Sequence, residues 1–159
     1  MQKYHVKEMV SKGYYSSISL VIPLDGNSPF YAEYMTVLME FLRKFRGILE
    51  LIIIDSGINE GALRAIWIYS RLLKKIDPKV RIRILRTTGR IRVTESISYG
   101  LRIALGEKVI VVLLDYKRNG YRKKVMRLLS EAQFFLTRNI YLISDFPSVS
   151  YLQKVIMSD

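Results

Sequence analysis

Short apolar runs alternate along the chain with longer stretches whose apolar residues recur at helical spacing. "SISLVIP" (17–23) is a β-branched run stopped by Pro23, the pattern of a buried strand. "LDGNSP" (24–29) is rich in turn formers and reads as a loop. "FYAEYMTVLMEFLRKFRG" (30–47) is a helix ending at a glycine, and "ILELIII" (48–54) is a second strand that delivers Asp55 to its tip. Asn59 is placed to cap the helix "EGALRAIWIYSRLLKKI" (60–76), which Asp77-Pro78 ends.

"VRIRILR" (80–86) alternates arginine with isoleucine or valine, so it is a strand with one wetter face, expected near an edge. "TTGRIRVTE" (87–95) leads as a loop toward "SISYGLRIALG" (96–106), a helix expected to end at Gly106. "KVIVVLL" (108–114) is the most apolar strand and is expected to be central. After the loop that begins "YKRNGYRK" (116–123), a helix runs to about Thr137. "NIYLIS" (139–144) is a last strand and "PSVSYLQKVIM" (147–157) a terminal helix. Strands that read as continuous apolar runs, each followed by a helix, predict a single-domain α/β fold. Its sheet would be mostly parallel, doubly wound and Rossmann-like, with right-handed crossovers. Residues 1–16 read as an N-terminal tail and 17–159 as the domain.

Length and composition fit that picture. The 159 residues suffice for one full hydrophobic core. No run approaches the roughly 18 apolar residues of a membrane span, and the start lacks the apolar centre of a signal peptide. The expectation is a soluble, cytoplasmic protein, with a membrane-peripheral position also compatible. With no cysteine and one histidine, His5 in the tail, thiolate chemistry is excluded and a histidine-based triad is not expected. Nineteen isoleucines and three glutamines give a thermophile-like composition, although the usual glutamate excess is missing. The 26 basic against 14 acidic residues leave a net charge of +12, which favours phosphate-rich partners.

Of six aspartates, Asp25, Asp55, Asp115 and Asp145 fall at or just past the carboxyl end of a predicted strand. A parallel sheet puts all such ends on one rim, where open α/β sheets bind ligands. Aspartate also caps turns and helices, so Asp55 and Asp145 equally fit a structural role. "DSGINEG" (55–61) and "TTGRIR" (87–92) match neither the Walker P-loop nor the dinucleotide fingerprint.

Three blocks taken together resemble the nucleotide-binding half of the family 2 glycosyltransferases, which have the GT-A fold. They are "SLVIPLDGN" (19–27), "ELIIIDSGINEGA" (50–62) and "SYGLRIALGEKVIVVLLDYK" (98–117). The resemblance covers roughly residues 17–117 and implies a site for a nucleotide-diphosphate sugar of the UDP or GDP type. Pro23, Leu24, Asp25, Asp55 and Ser56 would lie near the base, and Asp115 near the ribose and diphosphate. A carboxylate facing a base N–H is a charge-assisted acceptor.

The chain departs from the family pattern in two places. Ser56 replaces the second of two adjacent aspartates. Lys117 stands where the metal-binding DxD motif would have its second carboxylate. A charged lysine cannot ligate, so the expectation is no cofactor, or Mg²⁺ or Mn²⁺ held weakly through Asp115. Lys117, Arg118, Arg90, Arg92 and Arg122 would instead bear on the departing diphosphate. Beyond the motif, Asp145 is the one well-placed acid for a catalytic base.

The cluster "YKRNGYRKKVMR" (116–127) and the five arginines of 81–92 could also border an anionic membrane surface or nucleic acid. The leading expectation is therefore a minimal or truncated glycosyltransferase-like protein. The alternative is a catalytically inactive GT-A-fold binding protein that uses its basic face for nucleic acid or another anionic partner. Donor sugar, acceptor, stereochemistry and oligomeric state, including a homo-oligomer, are left open by the sequence.

Overall fold

Among the described residues, β-branched and leucine-rich segments build five strands, and amphipathic segments build a helix after each of them. The computed structural model describes residues 17–25, 32–58, 60–113, 121–143 and 148–157. In chain order these form β1 (Ser17–Asp25), α1 (Ala32–Lys44), β2 (Ile48–Ser56), α2 (Glu60–Ile76) and β3 (Arg81–Arg86). They continue with α3 (Val93–Ile103), β4 (Lys108–Val112), α4 (Tyr121–Phe135), β5 (Asn139–Ile143) and α5 (Val149–Met157). The tail 1–16 and the predicted cap Asn59 lie outside the described residues.

The strands make one sheet in the order β3-β2-β1-β4-β5, with every pairing parallel. The first two crossovers move outward from β1 in one direction, and the third returns across it to β4. Right-handed crossovers then require the helices to change face at that return. Accordingly α1, α2 and α5 pack on one face through Leu38, Phe41, Ile66, Leu73, Leu152 and Ile156. Helices α3 and α4 pack on the other through Ile97, Leu101, Val125 and Leu129. Six successive residues of β2, Leu49 to Ile54, are buried because both faces of the strand are covered. A fully buried leucine or isoleucine contributes about 1.5–3 kcal/mol, so this strand is a main anchor of the core.

Several local readings change in the structure. β1 runs through Pro23 to Asp25 instead of stopping at the proline. Proline gives no N–H to a ladder, so it is tolerated only where that bond can be spared. β4 is interior, but the middle position belongs to β1. β3 is an edge strand, as its alternating arginines imply. Helix α3 starts at Val93 and ends at Ile103, because Ala104 leaves the helix in extended conformation (φ −62, ψ 132). Gly106 therefore is not its cap. A Cβ there would stand 2.6 Å from the amide nitrogen of Ser19, so glycine is what lets this turn press on β1. Gly100 does the same inside α3, where a Cβ would meet Val21 Cγ1 at 2.3 Å.

Below α3, near the amino ends of the strands, lies a buried polar cluster. Glu50, 3% exposed, accepts from Ser19 Oγ (2.7 Å), from the Leu105 amide (2.9 Å) and from Arg83 Nη2 (2.7 Å). Arg83 also donates to the Ile103 carbonyl (2.6 Å), and the Gly106 amide donates to Ser19 Oγ (2.8 Å). Three strands and the end of α3 are thereby tied to one carboxylate. A buried charge is tolerated when it is paired and hydrogen-bonded in this way. Glu50 was not singled out in the sequence. Its signal is an acid set inside the apolar run "LELIII", which calls for a cation from a neighbouring strand.

Candidate functional site

In a parallel sheet the carboxyl ends of all strands share one rim, and ligands bind where the strand order reverses. Here the reversal lies between β1 and β4. Those two strands pair only from Ile18–Val21 against Lys108–Val111. Beyond that, β1 stays with β2 as far as Asp25 opposite Ser56. β4 instead stays with β5, through Val112 opposite Ile143 and the Leu113 amide on the Ile143 carbonyl (2.8 Å). Among the described residues, the pairing between these two strands thus stops at the switch point sooner than the pairing of each with its outer neighbour. Leu24 is buried and Asp25 half-buried at the β1 tip.

The neighbouring tip, that of β2, is organised by Asp55. Its side chain is fully buried, and Oδ1 accepts the amides of Gly57 (3.1 Å) and Ile58 (2.9 Å). This turn reverses the chain toward α2, and Gly57 takes the left-handed conformation (φ +93) that glycine adopts without steric cost. Asp55 Oδ2 accepts no hydrogen bond among the described residues, but Arg86 Nε stands 3.4 Å away. Arg86 also reaches Glu60 (3.0 Å). The hydrogen bond to Glu60 and, after it, the charges of Glu60 and Asp55 raise the Arg86 guanidinium above its ordinary pKa, so it stays a cation.

The loop after β3 is laced to the same tip. The Thr87 amide donates to the Asp55 carbonyl (3.0 Å) and the Ile91 amide to Ser56 Oγ (2.9 Å). Ser56 thus presents, at the tip of β2, a hydroxyl that holds a loop. Arg90 is exposed and lies along Gly57, where a Cβ would be 3.6 Å from its Cγ. Arg92 is exposed at the N-cap of α3 and pairs with Glu95 (2.8 Å) in the first turn, where an acid suits the helix dipole.

Asp55, Ser56 and Arg90 are therefore one cluster. Pro23, Leu24 and Asp25 line the adjacent strand end, and Arg92 opens the next helix. Asp115, Lys117, Arg118 and Asp145 lie outside the described residues. Arg122, Lys123, Lys124 and Arg127 are exposed on α4. Among the described residues no group of three or more His, Asp or Glu side chains could hold a metal ion. Also among them, no helix is long and apolar enough to cross a membrane.

No protein-family model matches the chain, and no curated protein matches it either. Among solved structures it is similar to the mannosyltransferase PcManGT from Pyrobaculum calidifontis, solved in complex with GDP-Man and Mn²⁺. The identity is 17% and the TM-score 0.46. The match covers 65% of this chain and 31% of that one, so it spans about a third of the mannosyltransferase.

Proposed function

We propose that this chain is a glycosyltransferase-like domain that binds a nucleotide-diphosphate sugar at the carboxyl rim of β1 and β4. The switch point between β1 and β4 supports the reading, since doubly wound sheets bind nucleotides at the carboxyl ends of the strands at such a point. Two of the three resemblance blocks, 19–27 and 98–117, run along the two strands that flank it. In this reading Asp25 and the chain after Leu24 meet the base. Asp55 Oδ2 takes a base N–H once the exposed Arg86 side chain swings away, while Oδ1 keeps the turn. Arg90 and Arg92, with Lys117 and Arg118 from the segment after β4, bear on the diphosphate. Positive groups fixed before reaction stabilise a leaving diphosphate without having to reorganise. Asp115 faces the ribose and is the residue that would hold Mg²⁺ or Mn²⁺. Asp145, just beyond β5, is the proposed base for the acceptor hydroxyl.

Thermal unfolding with UDP, GDP and their sugars, with and without Mn²⁺, tests this reading. A ligand at about 100 times its Kd adds about 2.7 kcal/mol, a shift that is easily read. No shift with any nucleotide overturns the proposal. The exposed basic start of α4 supports a second reading, an inactive binding protein for an anionic polymer. A salt-sensitive shift with oligonucleotides and none with nucleotide sugars would favour it.

A further inference from the structure

Helix α2 buries Ile66, Ser70 and Leu73 against the domain and turns a different set of residues outward. Arg64, Ile68, Arg71 and Lys75, spaced i, i+4, i+7 and i+11, form one exposed stripe. Trp67 and Leu72 flank it. Trp67 is 50% exposed, Ile68 59% and Leu72 37%, an unusual concentration of large apolar side chains on one outer face. The only acid in the helix is Glu60, in its first turn, where it pairs with Arg86. From Gly61 to Ile76 the helix carries basic charge alone.

We propose that this face of α2 docks on the surface of an anionic lipid bilayer. A helix lying in the membrane interface puts aliphatic side chains at the acyl boundary, tryptophan at the headgroups, and arginine and lysine on lipid phosphates. The outer face of α2 has all three kinds of residue interleaved. A nucleic acid would satisfy the charges but leave Ile68 and Leu72 without an apolar partner. A second copy of the chain, meeting it face to face, would set like charges against each other. Because α2 starts immediately after the Asp55 turn, docking would hold the carboxyl rim close to the headgroup layer. The inference stands apart from the nucleotide reading, whose test needs no vesicles.

The chain has a single tryptophan, so Trp67 reports contact directly. Full-length protein is mixed with vesicles of phosphatidylglycerol and phosphatidylcholine, or of phosphatidylcholine alone. With the anionic vesicles, Trp67 emission should move to shorter wavelength and the protein should sediment with the lipid, both fading as salt is raised. I68S/L72S should weaken binding about tenfold, through lost apolar burial. R64E/R71E/K75E should weaken it about a hundredfold, through lost attraction to the anionic surface. Both variants change exposed residues only, and an unchanged far-ultraviolet circular dichroism spectrum checks their folding. Unshifted emission with anionic vesicles overturns the proposal. So does full binding by both variants, which would assign docking to another surface. An emission shift that grows with protein concentration in the absence of lipid would also overturn it, since a second copy would then cover the face.

Discussion

The amide of Gly106 donates to the hydroxyl of Ser19 at 2.8 Å, joining the turn before β4 to the start of β1 across 87 positions of sequence. A Cβ on Gly106 would lie 2.6 Å from the Ser19 nitrogen and 2.8 Å from the Ile18 carbonyl carbon. Both are backbone atoms of the central strand and cannot step aside. G106A should lose about 3 kcal/mol, the upper end for overpacking, read as a lower denaturant midpoint with unchanged slope. S19A should not restore it, because the clash is with backbone.

Gly100 presents the opposite case. Its added Cβ would strike a side chain, Val21 Cγ1 at 2.3 Å, and not the main chain. G100A alone should destabilise by about 1–3 kcal/mol. Adding V21A removes the obstructing methyl groups. The double variant should therefore be more stable than the sum of the two single effects allows, by at least about 1 kcal/mol in a double-mutant cycle.

The Glu50–Arg83 pair predicts an asymmetry. Arg83→Met leaves Glu50 charged among buried groups. Losing one partner of a fully buried pair costs about 3–5 kcal/mol. The Arg83 side chain is 36% exposed, which lets water relieve part of that, so about 2 kcal/mol is expected from chemical denaturation. Glu50→Gln keeps one oxygen for both Ser19 and Leu105 and should cost less than Glu50→Ala, which strands the Leu105 amide and takes a partner from the Ser19 hydroxyl and from Arg83.

Asp55 separates architecture from binding. Asn at this position keeps an oxygen for the Gly57 and Ile58 amides, whereas Ala strands both. D55A should cost about 1–3 kcal/mol of stability and D55N clearly less. If Oδ2 is the acceptor for a base, D55N should still weaken nucleotide binding about tenfold in calorimetry, the loss of a charge-assisted bond. Unchanged affinity in a stable D55N would confine this carboxylate to shaping the turn.

The course of the chain was legible because strand and helix differ in apolar period, and "RIRILR" announced an edge by keeping arginine on a parallel strand. The middle of the sheet was not. β4 is the more continuous apolar run, yet β1 lies at the centre, since strand order depends on where the third crossover lands. Gly106 looked like a helix cap because glycine commonly ends helices. Its actual reason is a backbone contact with Ser19, a residue no local pattern links to it. Asp55 was legible as a residue at a strand tip. Its engagement with two amides of its own turn depends on the conformation of Gly57, which the sequence only permits. The block "SYGLRIALGEKVIVVLLDYK" (98–117) carries a ligand-site resemblance, yet in the fold both of its glycines are points of close packing.

β1 has a further consequence, for synthesis. When the ribosome has released only β1, β2 and β3, the side of β1 that will receive β4 is an open template of N–H and C=O groups. Val21, Ile52 and Ile54 then await α3. Unpaired edges beside bare apolar surface are where nascent chains aggregate. The interval ends only when Lys108–Val111 emerges, so the speed of translation between Thr87 and Val111 bears directly on how much chain reaches the native state.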